Sequence, residues 1–406
     1  MSNRHRTPGE ARRHHPGRLL ADSVGRPAGL CLVAIAAFTA ALAADSRPRA
    51  RDLGVPFDGT PGPLNSITDV AGVEVGHSTI IRGEGKRVAG KGPIRTGVTA
   101  VLPRGRENSA EVFAAWFSLN GDGEMTGTTW LEDSGFLQGP VMITNTYSVG
   151  VVRDSVTAYC LARNRPKDDE YCWSLPVVAE TWDGELNDIE GFHVKQEHVF
   201  AALDAARGGP VTEGSVGGGT GMICHDFKGG IGTSSRRIPE KLGGHTLGVL
   251  VQCNYGLGSR LRVAGAPVGL EIPSSGERVE DMGSIIIVVA TDAPLLPHQL
   301  KRLVRRASLG LARNGSYSGE GSGDIFIAFS TANPGAAAPR GSVSLSMLPN
   351  DRLNPLFEAT VQATEEAIIN AMVAADTMVG ADDKKVIALP HERLREALRK
   401  YNRLKE

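Results

Sequence analysis

The stretch Asp281-Met282-Gly283-Ser284 leads directly into the apolar run Ile285-Ile286-Ile287-Val288-Val289-Ala290. A short, continuous run rich in β-branched residues predicts a strand that is buried on both faces. If the bond between Gly283 and Ser284 were cut, Ser284 would carry a free α-amine beside its hydroxyl at the head of that strand. An α-amine has a reference pKa of about 7.7 to 8.0, so it could accept the hydroxyl proton without a separate histidine. The alternative interpretation is an ordinary Gly-Ser turn before a strand.

Length and charge limit the possible classes of protein. The 406 residues can bury the core of one large layered fold or of two or three smaller domains. The 44 basic and 45 acidic residues give a formal net charge of −1, which offers no electrostatic footprint for nucleic acid. The five cysteines form no Cys-x-x-Cys pair and no cluster at zinc-ligand spacing. We therefore expect no nucleic-acid partner and no structural zinc.

The first 44 residues resemble an export signal. An arginine-bearing segment precedes an apolar stretch at residues 28–40, and Ala41-Leu42-Ala43 offers a small-residue cleavage site. The apolar stretch is shorter than the roughly 20 residues of a membrane span. The sequence therefore predicts a periplasmic or secreted protein without stable membrane anchoring. Whether the cysteines that remain after processing form disulfides is left open.

The remainder of the chain alternates short apolar runs with glycine-rich turns. Predicted strands cover residues 70–76, 97–102, 141–144, 248–252, 285–290 and 324–329, and predicted helices cover residues 151–163, 198–206, 297–314 and 354–377. This order of elements favours an α/β layered sandwich over a barrel.

Two glycine-rich stretches interrupt the pattern. Residues 214–221 match neither a Walker loop nor a dinucleotide fingerprint, so they are either a tight turn or a backbone segment that lines a site. Residues 262–281 are rich in Gly, Pro, Glu and Ser, and they predict an exposed loop just upstream of Ser284. An exposed loop would offer little obstruction to cleavage there.

Four polar side chains are candidates for the chemistry around such a nucleophile. Asn254 ends a predicted strand, where its amide could stabilise an oxyanion or cap the turn before Gly256. Ser322 and Asp324 stand two residues apart at the start of a strand, so both lie on one side of it. They form either a relay beside a nucleophile or a polar turn. Glu180 follows an apolar run and could bind a substrate ammonium or cap a loop.

These motifs resemble the L-aminopeptidase/D-esterase family of self-processing N-terminal-serine peptidases, which includes the β-peptidyl aminopeptidases. The resemblance extends over nearly all of the chain after the leader, and it is carried by residues 49–57, 217–235, 248–256 and 283–331. Its most specific part is Gly283-Ser284-Ile285-Ile286, followed by Thr291-Asp292-Ala293-Pro294 and Gly321-Ser322-Gly323-Asp324.

The resemblance implies a role for each candidate residue. Self-cleavage would occur between Gly283 and Ser284, and Ser284 would be the nucleophile. Asn254 matches the strand-end asparagine, while Ser322 and Asp324 match the downstream hydroxyl and carboxylate. Two further substrate-binding positions are expected: Glu180 would hold the substrate amine, and Trp182 stands where some members carry tyrosine. If that phenol assists the oxyanion in those members, Asn254 and backbone donors have to suffice here.

The resemblance also implies the architecture and the partners. The expected fold is a four-layer α/β/β/α sandwich, similar to N-terminal-nucleophile hydrolases but with different connectivity. Cleavage would divide its single catalytic domain into an α-subunit, residues 45–283, and a β-subunit, residues 284–406. No cofactor is expected. The implied partners are small peptide, amide or ester substrates with a free amino terminus, and other copies of the cleaved αβ unit in a homo-oligomer.

Two other functions remain possible on the sequence alone. One is an acyltransferase related to the self-cleaving ornithine acetyltransferases, although those use threonine as the new terminus. The other is a non-catalytic secreted binding protein that never cleaves.

Overall fold

The strand that begins at Gly283 lies inside a six-stranded sheet. The structure is a computed structural model that describes residues 47–163, 175–274, 280–338 and 340–406. Residues 48–406 form one compact unit. The predicted leader, residues 1–44, lies outside the described residues. No helix of the described ranges is long and apolar enough to cross a membrane.

The described strands and helices are numbered in chain order. The strands are β1 Glu74–Arg82, β2 Ile94–Leu102, β3 Val112–Gly121, β4 Phe136–Leu137, β5 Val141–Asn145, β6 Val177–Thr181, β7 Ile223–Cys224, β8 Phe227–Lys228, β9 Gly230–Arg237, β10 Thr246–Asn254, β11 Gly283–Thr291, β12 Ser322–Ser330, β13 Met378–Val379 and β14 Lys385–Val386. The α-helices are α1 Thr128–Ser134, α2 Val149–Arg163, α3 Gln196–Asp204, α4 Val268–Glu271, α5 Pro297–Val304, α6 Ala307–Arg313, α7 Asn354–Val373 and α8 His391–Lys400.

Two sheets form the centre of the fold. The four-stranded sheet has the order β1-β2-β5-β6, and the six-stranded sheet has the order β4-β3-β12-β11-β10-β9. Strand β11 pairs antiparallel with β10 and parallel with β12. Each residue of β11 from Ser284 onward is buried, as its continuous apolar sequence predicts for an inner strand.

The side chains of β11 alternate between two hydrophobic cores. Ile286 and Val288 pack between the sheets with residues of the four-stranded sheet such as Ile143. Ile285 and Ile287 face the opposite way, into a core that includes residues of α5, α6 and α7. A third core lies under α2 and α3 on the outer side of the four-stranded sheet. The layers are therefore helix, sheet, sheet and helix, which confirms the expected α/β/β/α sandwich.

Three sequence predictions about local structure are wrong. The helix predicted at 297–314 is two helices, because α5 ends before the turn in which the Arg306 N–H bonds the Leu303 carbonyl. The strand predicted at 70–76 starts only at Glu74. Residues 275–279 of the stretch 262–281 lie outside the described residues, and the described part is not simply an exposed loop. It contains α4, and its apolar residues Val263 and Val268 are fully buried in the helix-side core.

The glycine-rich stretch 214–221 is a tight turn. It contains the 3₁₀ helix Gly217–Gly219 and packs against β2, where a Cβ on Gly97 would come within 2.4 Å of the Gly217 carbonyl oxygen. None of its residues lines the cavity described below. Close by, Cys224 and Cys253 are joined as a disulfide, with their Cα atoms 5.7 Å apart.

Candidate active site

Ser284 lies at the start of β11, on the face that points into the space between the sheets. Alternation along the strand places its side chain on the same face as Ile286 and Val288. The residue is 6% exposed. The backbone N–H of Gly323 donates to its hydroxyl, with 3.3 Å between N and Oγ. The hydroxyl therefore sits beside a backbone donor that could also stabilise a developing negative charge.

The residue before Ser284 has to be glycine in this conformation. Gly283 has φ +108°, a value that residues with a side chain rarely adopt. A Cβ at this position would lie 2.1 Å from the carbonyl oxygen of Asn254. The peptide bond between Gly283 and Ser284 is thus fixed in an arrangement that only glycine allows.

Asn254 is the direct cross-strand partner of Ser284. Its Oδ1 accepts the Ile223 N–H at 2.8 Å, and its Nδ2 donates to the Trp182 carbonyl oxygen at 2.9 Å. A carboxamide has two N–H donors, so one contact leaves a second donor. Neither partner belongs to the turn at Gly256, so the structure does not support the turn-cap interpretation of Asn254. The amide is instead held in a fixed orientation on the same face of the sheet as Ser284.

Ser322 and Asp324 form a buried pair at the start of β12. The Ser322 hydroxyl donates to Asp324 Oδ1 at 2.7 Å. Alternation with Phe326 places both side chains on the helix side of the sheet, opposite the face of the Ser284 side chain. Ser322 is in register with Gly283. The pair is therefore behind the scissile peptide rather than beside the hydroxyl of the nucleophile.

Burial dominates the electrostatics of Asp324. Desolvation raises its pKa to about 6, and the negative charge of Asp281 acts in the same direction. The Ser322 hydroxyl lowers the pKa by donating a hydrogen bond to the carboxylate, but it does not offset the burial. Asp324 consequently changes its protonation state near the lower end of the physiological pH range.

Glu180 follows the apolar part of β6 and is 3% exposed. Its Oε1 accepts the Glu124 N–H at 2.9 Å, and its Oε2 accepts the Thr146 hydroxyl. Burial raises the pKa of Glu180, these two hydrogen bonds lower it, and the charges of Glu124 and Asp122 raise it further. A bound ammonium group would favour the ionised form and counter this rise.

A cavity of about 710 Å³ connects Ser284, Asn254 and Glu180. It is lined by Asp122, Gly123, Glu124, Thr146, Glu180, Trp182, Glu185, Asn254, Glu280, Met282, Gly283, Ser284 and Gly321. The carboxylates in its wall suit a cationic ligand. Trp182 is 41% exposed, and its ring meets the Tyr147 ring edge-on, with 5.6 Å between the ring centroids.

The structure brings all the predicted side chains to this region, with Ser322 and Asp324 on the far side of the sheet. Sequence reasoning missed Thr146 and the turn of Asp122, Gly123 and Glu124. Thr146 and Glu124 donate hydrogen bonds to Glu180 from positions 34 and 56 residues away in the sequence, and the only local signal was the acidic turn after an apolar run. Among the residues that the structure describes, no group of three or more His, Cys, Asp or Glu side chains could hold a metal ion.

Comparison with known proteins identifies the family of this chain. The profile of peptidase family S58 matches residues 65–386, which is more than half of the chain. The chain belongs to peptidase family S58. This confirms the resemblance inferred from the motifs around Ser284.

Curated and solved relatives of this S58 peptidase are similar over most of their length. The β-peptidyl aminopeptidase BapA of Sphingosinicella microcystinivorans is 55% identical over 374 residues, covering 88% of this chain and 93% of that protein. The solved L-aminopeptidase D-Ala-esterase/amidase of Ochrobactrum anthropi is 48% identical with a TM-score of 0.82, covering 88% of this chain and 99% of the other. A β-aminopeptidase from a Burkholderia species is 48% identical with a TM-score of 0.79, covering 87% and 99%.

These relatives fix the class of activity and the fold. The Ochrobactrum enzyme is described as a prototype of the serine aminopeptidases and as a new variant of the Ntn hydrolase fold. The S58 peptidase described here is therefore a hydrolase, a serine aminopeptidase that acts on peptide or amide substrates. The family favours this function over the acyltransferase and the non-catalytic binding protein.

Proposed function

We propose that this S58 peptidase is exported, cleaves itself between Gly283 and Ser284, and then removes N-terminal residues, including β-amino acids, from peptides, amides and esters. The observation that carries the proposal is the position of Ser284. Its hydroxyl opens to an acidic cavity, and the bond before it is held in a conformation that only glycine permits.

The self-cleavage step begins with the Ser284 hydroxyl. Oγ attacks the carbonyl carbon of Gly283 and loses its proton, the C–N bond breaks, and the departing nitrogen of Ser284 gains a proton. The product is an ester that joins Gly283 to Ser284 Oγ. Water then hydrolyses this ester, which releases a carboxylate on Gly283 and leaves a free α-amine on Ser284. The chains would be residues 45–283, after removal of the leader, and residues 284–406.

Turnover uses the same oxygen with the new amine as its base. The α-amine accepts the proton of Oγ while Oγ attacks the substrate acyl carbon. Negative charge then develops on the acyl oxygen, where the second N–H of Asn254 and the Gly323 N–H can stabilise it. The leaving amine or alcohol takes a proton, and water hydrolyses the acyl-enzyme. Ser322 and Asp324 lie behind the new terminus, where they can orient the α-amine and balance its charge.

Glu180 anchors the free amine of the substrate in this proposal. Its carboxylate is fixed by two donors, and the neighbouring carboxylates Asp122 and Glu124 add to the negative field in the cavity. A substrate whose ammonium group is held there would be oriented toward Ser284. Trp182 forms an exposed aromatic part of the same wall and contacts the substrate side chain.

The activities for which the relatives are named support β-aminoacyl substrates for this chain. Two curated relatives, 55% and 48% identical, are β-peptidyl aminopeptidases, and a solved relative is a β-aminopeptidase. We extend to this chain the hydrolysis of β-aminoacyl amides. A periplasmic or secreted location and a homo-oligomer of cleaved αβ units complete the proposal. The location is supported by the composition of residues 1–44.

A substrate panel on purified protein tests the activity. We expect hydrolysis of β-homoalanyl and L-alanyl p-nitroanilides and of D-alanine esters, with no release from the N-acetylated forms. Ser284→Ala prepared in parallel should be inactive on all of them. Equal hydrolysis of free and N-acetylated substrates would remove the aminopeptidase assignment, whereas activity on L-alanyl substrates alone would remove only the β-peptide part.

A further inference from the structure

Asp281 is buried although it lies at the end of a stretch that the sequence predicts to be exposed. It stands three residues before Ser284 and is 3% exposed. Its Oδ2 accepts two hydrogen bonds, from the Ser316 hydroxyl at 2.7 Å and from the backbone N–H of Tyr317 at 3.1 Å. A buried carboxylate is costly unless it is hydrogen-bonded, so these contacts fix its position.

The loop that holds Asp281 is itself well ordered by local contacts. The Ser318 N–H donates to the Ser316 hydroxyl at 3.0 Å, so this hydroxyl is both an acceptor and the donor to Asp281. A Cβ on Gly319 would come 2.1 Å from the Asp281 carbonyl oxygen, which shows how closely the loop packs against the Asp281 backbone. The Ser322 N–H then bonds the Gly319 carbonyl oxygen as β12 begins.

The scissile peptide therefore lies between two anchored positions. Downstream, Ser284 is paired with Asn254 on one side and Gly323 on the other. Upstream, Asp281 is anchored to the Ser316–Tyr317 loop. Between them are only Met282, whose side chain is 51% exposed, and Gly283, with its φ of +108°. With so short a bridge, the upstream anchor restricts where the Gly283 carbonyl can lie relative to the Ser284 hydroxyl.

We propose that Asp281 is a positioning residue for self-cleavage: its carboxylate holds the upstream side of the Gly283–Ser284 bond in place, and in later turnover it acts only through its charge on Asp324. The inference rests on the proposed self-cleavage. The two reactions differ because the Gly283 acyl group is covalently attached to Asp281 through Met282, whereas a substrate acyl group enters from the cavity. Once the bond is cut, Asp281 and Ser284 belong to different chains.

The test compares the rate of self-cleavage with turnover in the same variants. Asp281→Ala removes the acceptor, and Ser316→Ala removes one donor from the other side of the contact. Tyr317→Phe is the matched control, because the contact uses the backbone of Tyr317 and its side chain is 58% exposed. Full-length protein is made by cell-free translation, synthesis is stopped, and loss of the intact chain is followed by denaturing electrophoresis and mass spectrometry.

Each preparation is first incubated until self-cleavage is complete. The cleaved molecules are then counted by titrating the Ser284 sites that become acylated, and turnover is expressed per cleaved molecule. A pH of about 8 keeps Asp324, with its pKa of about 6, ionised in every variant. We expect Asp281→Ala to slow self-cleavage by about tenfold or more and Ser316→Ala to slow it less. Turnover of the cleaved molecules should stay within about twofold of wild type, and Tyr317→Phe should match wild type in both assays.

Wild-type cleavage rates in both Asp281→Ala and Ser316→Ala would overturn the inference. Equal losses in self-cleavage and in turnover per cleaved molecule would also overturn it, because they would show a general structural role. If Asp281→Ala fails to fold, Ser316→Ala and Tyr317→Phe still give the comparison. A wild-type chain that never cleaves would instead refute the proposed self-cleavage, a result distinct from cleavage that is insensitive to Asp281.

Discussion

Replacing Asn254 with alanine should separate its contribution to chemistry from its contribution to folding. The change removes the donor expected to stabilise the oxyanion, and loss of such a donor lowers kcat by about 10² to 10³, or about 2.7 to 4 kcal/mol. It also leaves the buried Ile223 N–H without its acceptor, which costs about 1 to 3 kcal/mol of stability. The effect on KM should be smaller than the effect on kcat, because the contact forms in the transition state.

Gln252 offers a matched control two residues earlier on the same face of β10. Its Nε2 donates to the Thr144 carbonyl oxygen and to the Thr181 hydroxyl, and the side chain is fully buried. Gln252→Ala should therefore lower the free energy of unfolding by a comparable amount while the rate per titrated site stays within about threefold of wild type. Thermal midpoint and kcat are measured on the same samples. A wild-type kcat per titrated site in Asn254→Ala would refute the assigned role.

Further predictions concern four other residues. Ser284→Ala should block both cleavage and turnover, while Ser284→Cys should retain cleavage because a thiol supports the same acyl shift. Mass analysis of each variant shows whether the chain is intact or cleaved. Glu180→Gln should raise KM for free-amine substrates and reduce their advantage over N-acetylated ones, and an unchanged ratio would place the ammonium anchor elsewhere. Turnover that needs ionised Asp324 should fall as the pH drops below about 6. Asp324→Asn should lower kcat above about pH 6, and its difference from wild type should narrow below that pH, where the wild-type carboxyl is also neutral. Because burial raises the pKa of Asp324, the folded state binds the proton more tightly than the unfolded state does. The free energy of unfolding that Asp324 contributes therefore falls as the pH rises toward 6. For the same reason, Asp324→Asn should not be less stable than wild type. Gly283→Ala should prevent cleavage or correct folding, because its Cβ would lie 2.1 Å from the Asn254 carbonyl oxygen; a cleaved, folded Gly283→Ala protein would contradict this.

Local sequence patterns were sufficient for the features that depend on strand geometry. The apolar run after Ser284 predicts an inner strand, and the spacing of Ser322 and Asp324 predicts that their side chains share a face. The structure has both features, including the 2.7 Å contact between the two side chains. These properties follow from the two-residue period of a strand and need no knowledge of the neighbours.

Tertiary contacts decide what the sequence did not reveal. The side on which Ser322 and Asp324 lie relative to Ser284 depends on how β11 and β12 pair in parallel. The donors to Glu180 come from Glu124 and Thr146, which are remote in sequence. Asp281 lies in a stretch of loop-forming composition, yet it is buried and hydrogen-bonded to the loop after α6. The composition of a segment indicates only the average exposure of its residues. Each of these three features depends instead on a specific contact between residues that are distant in sequence.

The most direct test of the account is the identity of the first residue of the smaller chain in an active preparation. Purified wild-type protein is assayed for release of p-nitroaniline, and the same sample is analysed by intact mass spectrometry and N-terminal sequencing under native preparation conditions. We expect two chains, the smaller beginning at Ser284, with activity proportional to the amount of that chain. An active sample that contains only the intact chain, or a smaller chain that begins at another residue, would contradict this expectation.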